Sequence, residues 1–366
     1  MNELLVPHLM NLASIATALP ERSWTQRECW DELRDAPAVR GLRPRSRGIL
    51  EGVLLGDSGI ERRHFAVENV GDVFARNAQG LNEAFELEAA RLGSRALAAA
   101  LAKADVGTVD ALFVCTCTGY LCPGLSSHIA EAVGLSPSAG LMDLTGAGCG
   151  AAIPAMRAAS NHLAANPGHR VAVVAVEICS AAFYVDDDPG VLISLALFGD
   201  GAAAVVLDGR TDGEWRLGDF RSLHLPSERE KVRFVNRHGK LCNQLHRAVP
   251  EVAAQAVADL YPGANGHAAP QIISHAGGRN VLSAIRAKLP GHALADADAV
   301  LRDCGNMSSP SVLFAAERAL AGNGSTPDHL WLVSFGAGFA CHSCSLERSA
   351  SHSAQPFFTA EKRTPG

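Results

Sequence analysis

One pattern occurs twice in this 366-residue chain at nearly constant spacing, and that duplication restricts the possible folds more than any other feature. The first copy runs VDALFVCTCTG, GLMDLTGAGCG with a helix-like segment, RVAVVAVEI and LFGDGAAAVVL. The second runs PQIISHAGG, LRDCGNMSSPSVLFAAERAL, HLWLVSF and FGAGFACHSCSL. Cys117 and His275 lie 158 positions apart, and Cys149 and Asn306 lie 157 apart. Phe198-Gly199-x-Gly201 recurs as Phe335-Gly336-x-Gly338 at an offset of 137, because the first copy carries an insertion around residues 181–195 that includes DDDPG. Such offsets, with matching strand, turn and helix content, indicate an internal duplication. Continuous apolar strands flanked by helices belong to sheets covered on both faces. Two such halves, 1–210 and 211–346, predict a layered α/β fold with its active site near their junction, where strand ends gather.

Within the first copy, Leu141–Arg157 reads LMDLTGAGCGAAIPAMR. Apolar and turn-forming residues precede Cys149, and an alanine-rich run with helical spacing follows it. The thiol is therefore expected on a tight turn at a helix N-terminus. Pro154 fits a first helical turn. The positive end of the helix and its unpaired N–H groups favour a thiolate there. Gly148 and Gly150 leave room for a carbonyl to approach. The competing reading is a buried cysteine packed as a small hydrophobe.

The duplication puts Asn306, in CGNMSSPSV, at the turn equivalent to that of Cys149. His275, in IISHAGGRNVL, follows a strand of the second half. It alone among 14 histidines combines a strand end, a glycine turn and a helix start. If the three side chains meet, the imidazole holds the thiolate as an ion pair and the thiolate attacks a thioester or ester carbonyl. Histidine and the Asn306 amide can both donate to an oxyanion, each such donor being worth roughly 3–4 kcal/mol of barrier. The trio suits acyl transfer, and also the enolate formed when a malonyl thioester loses carbon dioxide. The competing reading of Asn306 is a helix cap.

Composition narrows the alternatives. Hydrophobic residues make up 48% and charged residues 19%, ordinary for a well-packed enzyme. The net charge is −6 with no lysine–arginine run, which argues against a nucleic-acid partner. No secretory pattern opens the chain and no apolar stretch is long enough to span a bilayer, so a cytoplasmic protein is expected. Its ten cysteines then read as reduced thiols. Cys341 and Cys344 form a CxxC with no second pair at metal spacing, so a zinc site is the minor reading. Met1–Leu19 reads as a strand, Trp24–Leu33 as a helix with a Thr25/Glu28 capping box, and Asn82–Lys103 as a long helix. The arginine-rich stretch 35–63 reads as a solvated surface or as positive charge for a phosphorylated substrate.

In order along the chain, GAGCGAAIPAMR, VAVEICSAAFY, LFGDGAAAVVL, SHAGGRNVL, GNMSSPSVLF and SFGAGF resemble the signatures of the type III polyketide synthases. This is the chalcone and stilbene synthase family, with the thiolase-like layered α/β/α/β/α fold. The match spans about residues 5–346, and the tail 347–366 looks disordered. The resemblance implies a homodimer that needs no cofactor beyond its substrates, acyl-CoA and malonyl-CoA. Such an enzyme loads an acyl starter on Cys149, extends it repeatedly by decarboxylative condensation and cyclises the product. By motif, Cys149, His275 and Asn306 match the catalytic triad. Phe198 matches the gating phenylalanine between CoA tunnel and pocket, and Cys122 falls where members reach toward the partner's pocket. Cys117, Ala182 and Ser308 fall at pocket positions. Asn243 replaces a second gating phenylalanine, and Phe234 aligns with a plant pocket glycine. The family's basic CoA contacts have no clean equivalents in GILEGVLLGDSGIERRHF, which leaves Arg62 and Arg63 as candidates. GKLCNQLHRAVPEV is similar to bacterial members that make alkylresorcinols or alkylpyrones from fatty acyl starters. A ketoacyl-synthase-III-like enzyme condensing once shares the Cys/His/Asn set. A papain-like hydrolase uses the same residue types, and a thiolase-like acyl-binding scaffold is the non-catalytic alternative.

Overall fold

The computed structural model describes residues 10–349 apart from 68–70, 211, 264–268 and 323–326. The first strand runs Met10–Ala18; residues 1–9, and 350–366 of the expected disordered tail, lie outside the described residues.

Nine strands among the described residues join into one sheet. Across it the order is Gln271–Ser274, His329–Gly336, Ala340–Arg348, Trp215–His224, Met10–Ala18, Gly201–Asp208, Arg170–Glu177, Ala111–Thr116 and Gly140–Thr145. Gln271–Ser274 runs parallel to His329–Gly336, and two antiparallel pairings then lead to Trp215–His224. The N-terminal half repeats this. Ala111–Thr116 runs parallel to Arg170–Glu177, and two antiparallel pairings lead to Met10–Ala18. The halves meet where Met10 and Asn11 face Leu217 and Arg216. Among the described residues Gly140–Thr145 has no counterpart strand in the second half; the equivalent chain makes an isolated bridge, Phe198 to Asn306.

Strand alternation separates two cores. From Arg170–Glu177, Val171, Val173 and Ala175 face one, while Ala172, Val174 and Val176 face the other. Helix Ala78–Lys103 covers the second core. Helices Ala152–Ala165 and Ser311–Leu320 fill the first, each touching strands of both halves. Alanines such as Ala155, Ala159, Ala315 and Ala316 keep these helices close to the strands they cover. The result is the layered thiolase-like α/β arrangement.

A third core lies beside the sheet, where helices Gln26–Leu33 and Pro44–Leu55 pack with Pro189–Leu197. The insertion in the first copy thus becomes a helix, begun by Asp188 accepting from Gly190 N at 2.8 Å, and supplies one wall of the site. The capping box of Thr25 and Glu28 forms, but the helix starts at Gln26 because Ser23–Thr25 pairs as a short strand with Arg62–His64. The long helix starts earlier than its apolar spacing suggests, at Ala78 with Asn77 as cap. Cys341 and Cys344 are buried in the strand Ala340–Arg348, and no group of three or more metal-ligating side chains occurs among the described residues. No helix among them is long and apolar enough to cross a membrane.

Candidate active site

Cys149 occupies the 3-10 turn Gly148–Gly150, directly before helix Ala152–Ala165, and is half-buried. Gly148 has φ +61°, a left-handed conformation that glycine adopts without strain. The strand ending at Gly336 packs onto this turn. A Cβ at Gly336 would lie 2.7 Å from Gly150 N and 2.8 Å from Cys149 N, so only glycine permits the approach. Ser334 Oγ donates to Gly150 O at 3.2 Å and holds the contact. Burial pushes the Cys149 thiol up to about 12, with the Ser308 hydroxyl pulling the other way by hydrogen bonding.

His275 follows the strand Gln271–Ser274 and is 1% exposed. Its backbone N–H donates to Val333 O at 2.9 Å, and its ring meets Phe335 edge-on at 5.3 Å. Burial pushes the imidazole down to about 3, and Nδ1 has no hydrogen-bond partner in the structure.

Asn306 is not a helix cap: the following helix starts at Ser311 with Pro310 at its cap. Instead Asn306 N donates to Leu197 O at 2.9 Å, and its carbonyl accepts from Gly199 N at 3.0 Å. Its side-chain Oδ1 accepts from Ser308 N at 2.8 Å and its Nδ2 donates to Gly277 O at 3.3 Å. A backbone N–H can only donate, so the amide orientation follows from the bonding. Ser308 itself has φ +60°, backbone strain of the kind that gathers at functional sites.

Cys149, His275 and Asn306 line one cavity of about 480 Å³, together with Phe198 and Phe335. Behind Phe198 a smaller pocket of about 50 Å³ also reaches Cys149, and Cys117, Ala182, Phe234, Asn243 and Ser308 line it. Phe198 therefore stands between two spaces that share Cys149. Phe234 and Asn243 face each other across the hairpin of Val232–Arg237 and Lys240–Leu245. Cys122 is exposed and lines neither space.

The arginine candidates require correction. Arg63 is fully buried, with Nε donating to Gln26 Oε1 at 2.9 Å and Nη1 to Leu195 O and Phe198 O at 2.7 and 2.8 Å. Its guanidinium, stacked 4.9 Å over Phe65, braces the turn at Phe198 and cannot meet a CoA phosphate. Arg62 is exposed and bonds Ser23 at 2.9 Å, away from both cavities. Arg63→Ala is expected to orphan these acceptors and lower stability by about 2–4 kcal/mol, read from the midpoint of chemical denaturation. The exposed cations on the larger cavity are Arg247 and Arg279; they fall outside the arginine-rich stretch, and charge alone could not locate them.

Glu177 was visible in sequence only as a charge interrupting an apolar run. Fully buried, it accepts from Thr118 Oγ1 and Ser309 Oγ at 2.9 and 2.6 Å, from Cys117 N and Thr118 N at 3.0 and 3.1 Å, and from Cys117 Sγ at 3.3 Å. One carboxylate thus ties the Cys117 wall of the pocket to the Ser308 wall, which touch Sγ to Oγ at 3.3 Å.

Residues 68–210 match the family described as chalcone and stilbene synthases, N-terminal domain. The chain is 32% identical over 352 residues to a 3,5-dihydroxyphenylacetyl-CoA synthase of Amycolatopsis balhimycina, covering 90% of this chain and 91% of that one. It is 27% identical over 343 residues to a 1,3,6,8-tetrahydroxynaphthalene synthase of Streptomyces griseus, covering 90% of each. The fold matches that of the 1,3,6,8-tetrahydroxynaphthalene synthase of Streptomyces coelicolor A3(2), with TM-score 0.82, 24% identity and coverage of 93% of this chain and 99% of the other. A duplicated layered fold, a cysteine at a helix entry and near full-length similarity to these synthases agree: the chain belongs to the chalcone and stilbene synthase family, and is a type III polyketide synthase, an acyltransferase that condenses acyl units iteratively.

Proposed function

We propose that Cys149 carries the growing chain and that His275 and Asn306 serve both half-reactions. The observation that carries this reading is the convergence of all three on one cavity, from turns belonging to both halves of the chain. Cys149 Sγ attacks the thioester carbonyl of acyl-CoA, the bond to the CoA sulfur breaks, and the thiol proton passes through His275 to the leaving thiolate. Burial disfavours a lone thiolate and a lone imidazolium alike. Transfer from one to the other creates both charges together, so that each neutralises its partner. Malonyl-CoA then loses carbon dioxide, the Asn306 amide and the imidazole donate to the enolate oxygen, and the enolate carbon attacks the acyl carbonyl on Cys149, whose C–S bond breaks to return the cysteine thiolate. The extended acyl-CoA reloads Cys149 by the same exchange as the starter. Repetition and ring closure give a pyrone, a resorcinol or another aromatic polyketide.

Arg247 and Arg279, on the cavity of about 480 Å³, are suited to the CoA phosphates. The reaction needs nothing besides CoA thioesters, and a cytoplasmic setting keeps the thiols reduced. Incubation with acyl-CoA starters and malonyl-CoA, followed by product masses, tests the reading. Products of two or more extensions are expected. A single extension throughout would favour a ketoacyl-synthase-III-like reaction.

The enzyme is a homodimer in this reading. The edge strand Gly140–Thr145 exposes Leu141 at 43% and Met142 at 50%, and an apolar unpaired edge is a surface for association. Leu141→Asp combined with Met142→Lys is expected to convert the dimer to monomer in light scattering. A monomeric parent protein would refute the assignment.

A further inference from the structure

We propose that the acyl group carried on Cys149 ends in a carboxylate, and that Arg233 recognises it; this rests on the loading reading above. Among the described residues, Arg233 is the one charged side chain lining the pocket of about 50 Å³ that reaches Cys149. That volume is well below the roughly 150 Å³ that accommodates a benzene, so an extended chain needs more space. Beyond Phe234 and Cys117, which line both spaces, lies a third cavity of about 490 Å³. Arg233 and Lys240 line it, and no carboxylate side chain among the described residues does. Lys240 Nζ donates to Arg76 O at 2.6 Å, a neutral partner.

Arg233 holds only part of its donor fork in use. Nη1 pairs with Glu230, which lines none of these spaces, while Nε is buried without a hydrogen-bond partner. The Arg233 side chain is 40% exposed, so an incoming carboxylate meets its terminal nitrogens rather than the sealed Nε, and it accepts from a guanidinium in a charge-assisted geometry. An alkyl chain in the same place would desolvate the cation and return nothing. Dicarboxylic acyl-CoA thioesters are therefore the favoured starters, in place of the fatty acyl groups suggested by the hairpin sequence. Loading is the transfer already described: one C–S bond forms at Cys149, one breaks at CoA, and the distal carboxylate keeps its charge.

Glutaryl-CoA and pentanoyl-CoA, which share a five-carbon acyl chain, isolate the effect. Initial loading of Cys149 is followed by intact mass. The parent enzyme is expected to load glutaryl at least about tenfold faster. Arg233→Leu should bring the ratio to about one, and Arg233→Lys should restore part of it. A parent ratio at or below one overturns the proposal, as does a ratio unchanged in both variants. Absence of any adduct on Cys149 from either thioester would instead sink the loading reading, and the inference with it.

Discussion

Cys149→Ala is expected to eliminate the covalent acyl adduct and lower polyketide formation by at least about 10⁴-fold, the scale of losing a catalytic nucleophile. The substitution removes one atom from a turn whose backbone is fixed by Gly336 and Ser334, so the fold should persist. His275 and Asn306 remain on the cavity, and decarboxylation of malonyl-CoA should therefore outlast condensation. That dissociation separates loss of the nucleophile from collapse of the site. Intact-mass analysis after exposure to acyl-CoA reads the adduct, and release of labelled carbon dioxide reads the second half-reaction. Product formation at the parent rate in this variant would rule out the mechanism.

Asn306→Asp should affect the other half. The new carboxylate can still accept from Ser308 N, but it exchanges the donor facing Gly277 O for an acceptor. Its charge also opposes the enolate. Decarboxylation should fall by roughly 10²–10³-fold, the cost of removing one oxyanion donor, while starter loading falls less. Equal losses in the two half-reactions would contradict the role given to the amide.

The layered fold was legible because its evidence is local and repeated. Apolar strands such as Arg170–Glu177, glycine turns and alanine-rich helices recur in both copies, and burial follows their periodicity. The placement of Cys149, His275 and Asn306 on one cavity was legible through the matched offsets. Positions that depend on tertiary partners were not. Arg63 looks like its solvated neighbours, yet three acceptors from distant segments draw it fully inside. Glu177 gathers hydroxyls and N–H groups from residues 59 to 132 positions away, which no spacing rule anticipates. The 181–195 insertion carried no sign that its helix would wall the cavity. Arg233 sits in a hairpin whose second strand opens the stretch that resembles bacterial members using fatty acyl starters, and only its place on the pocket of Cys149 gives it another meaning.

Leu197 and Gly199, the backbone neighbours of Phe198, are both stitched to Asn306, one accepting its N–H and the other donating to its carbonyl. Lineages that diversify the starter thus face unequal routes. Trimming the Phe198 ring widens the passage and leaves the amide undisturbed. Lengthening or shortening the chain between 197 and 199 would shift Asn306 with it and, under the role proposed for that amide, decarboxylation as well, so side-chain exchange is the less disruptive route to a new starter.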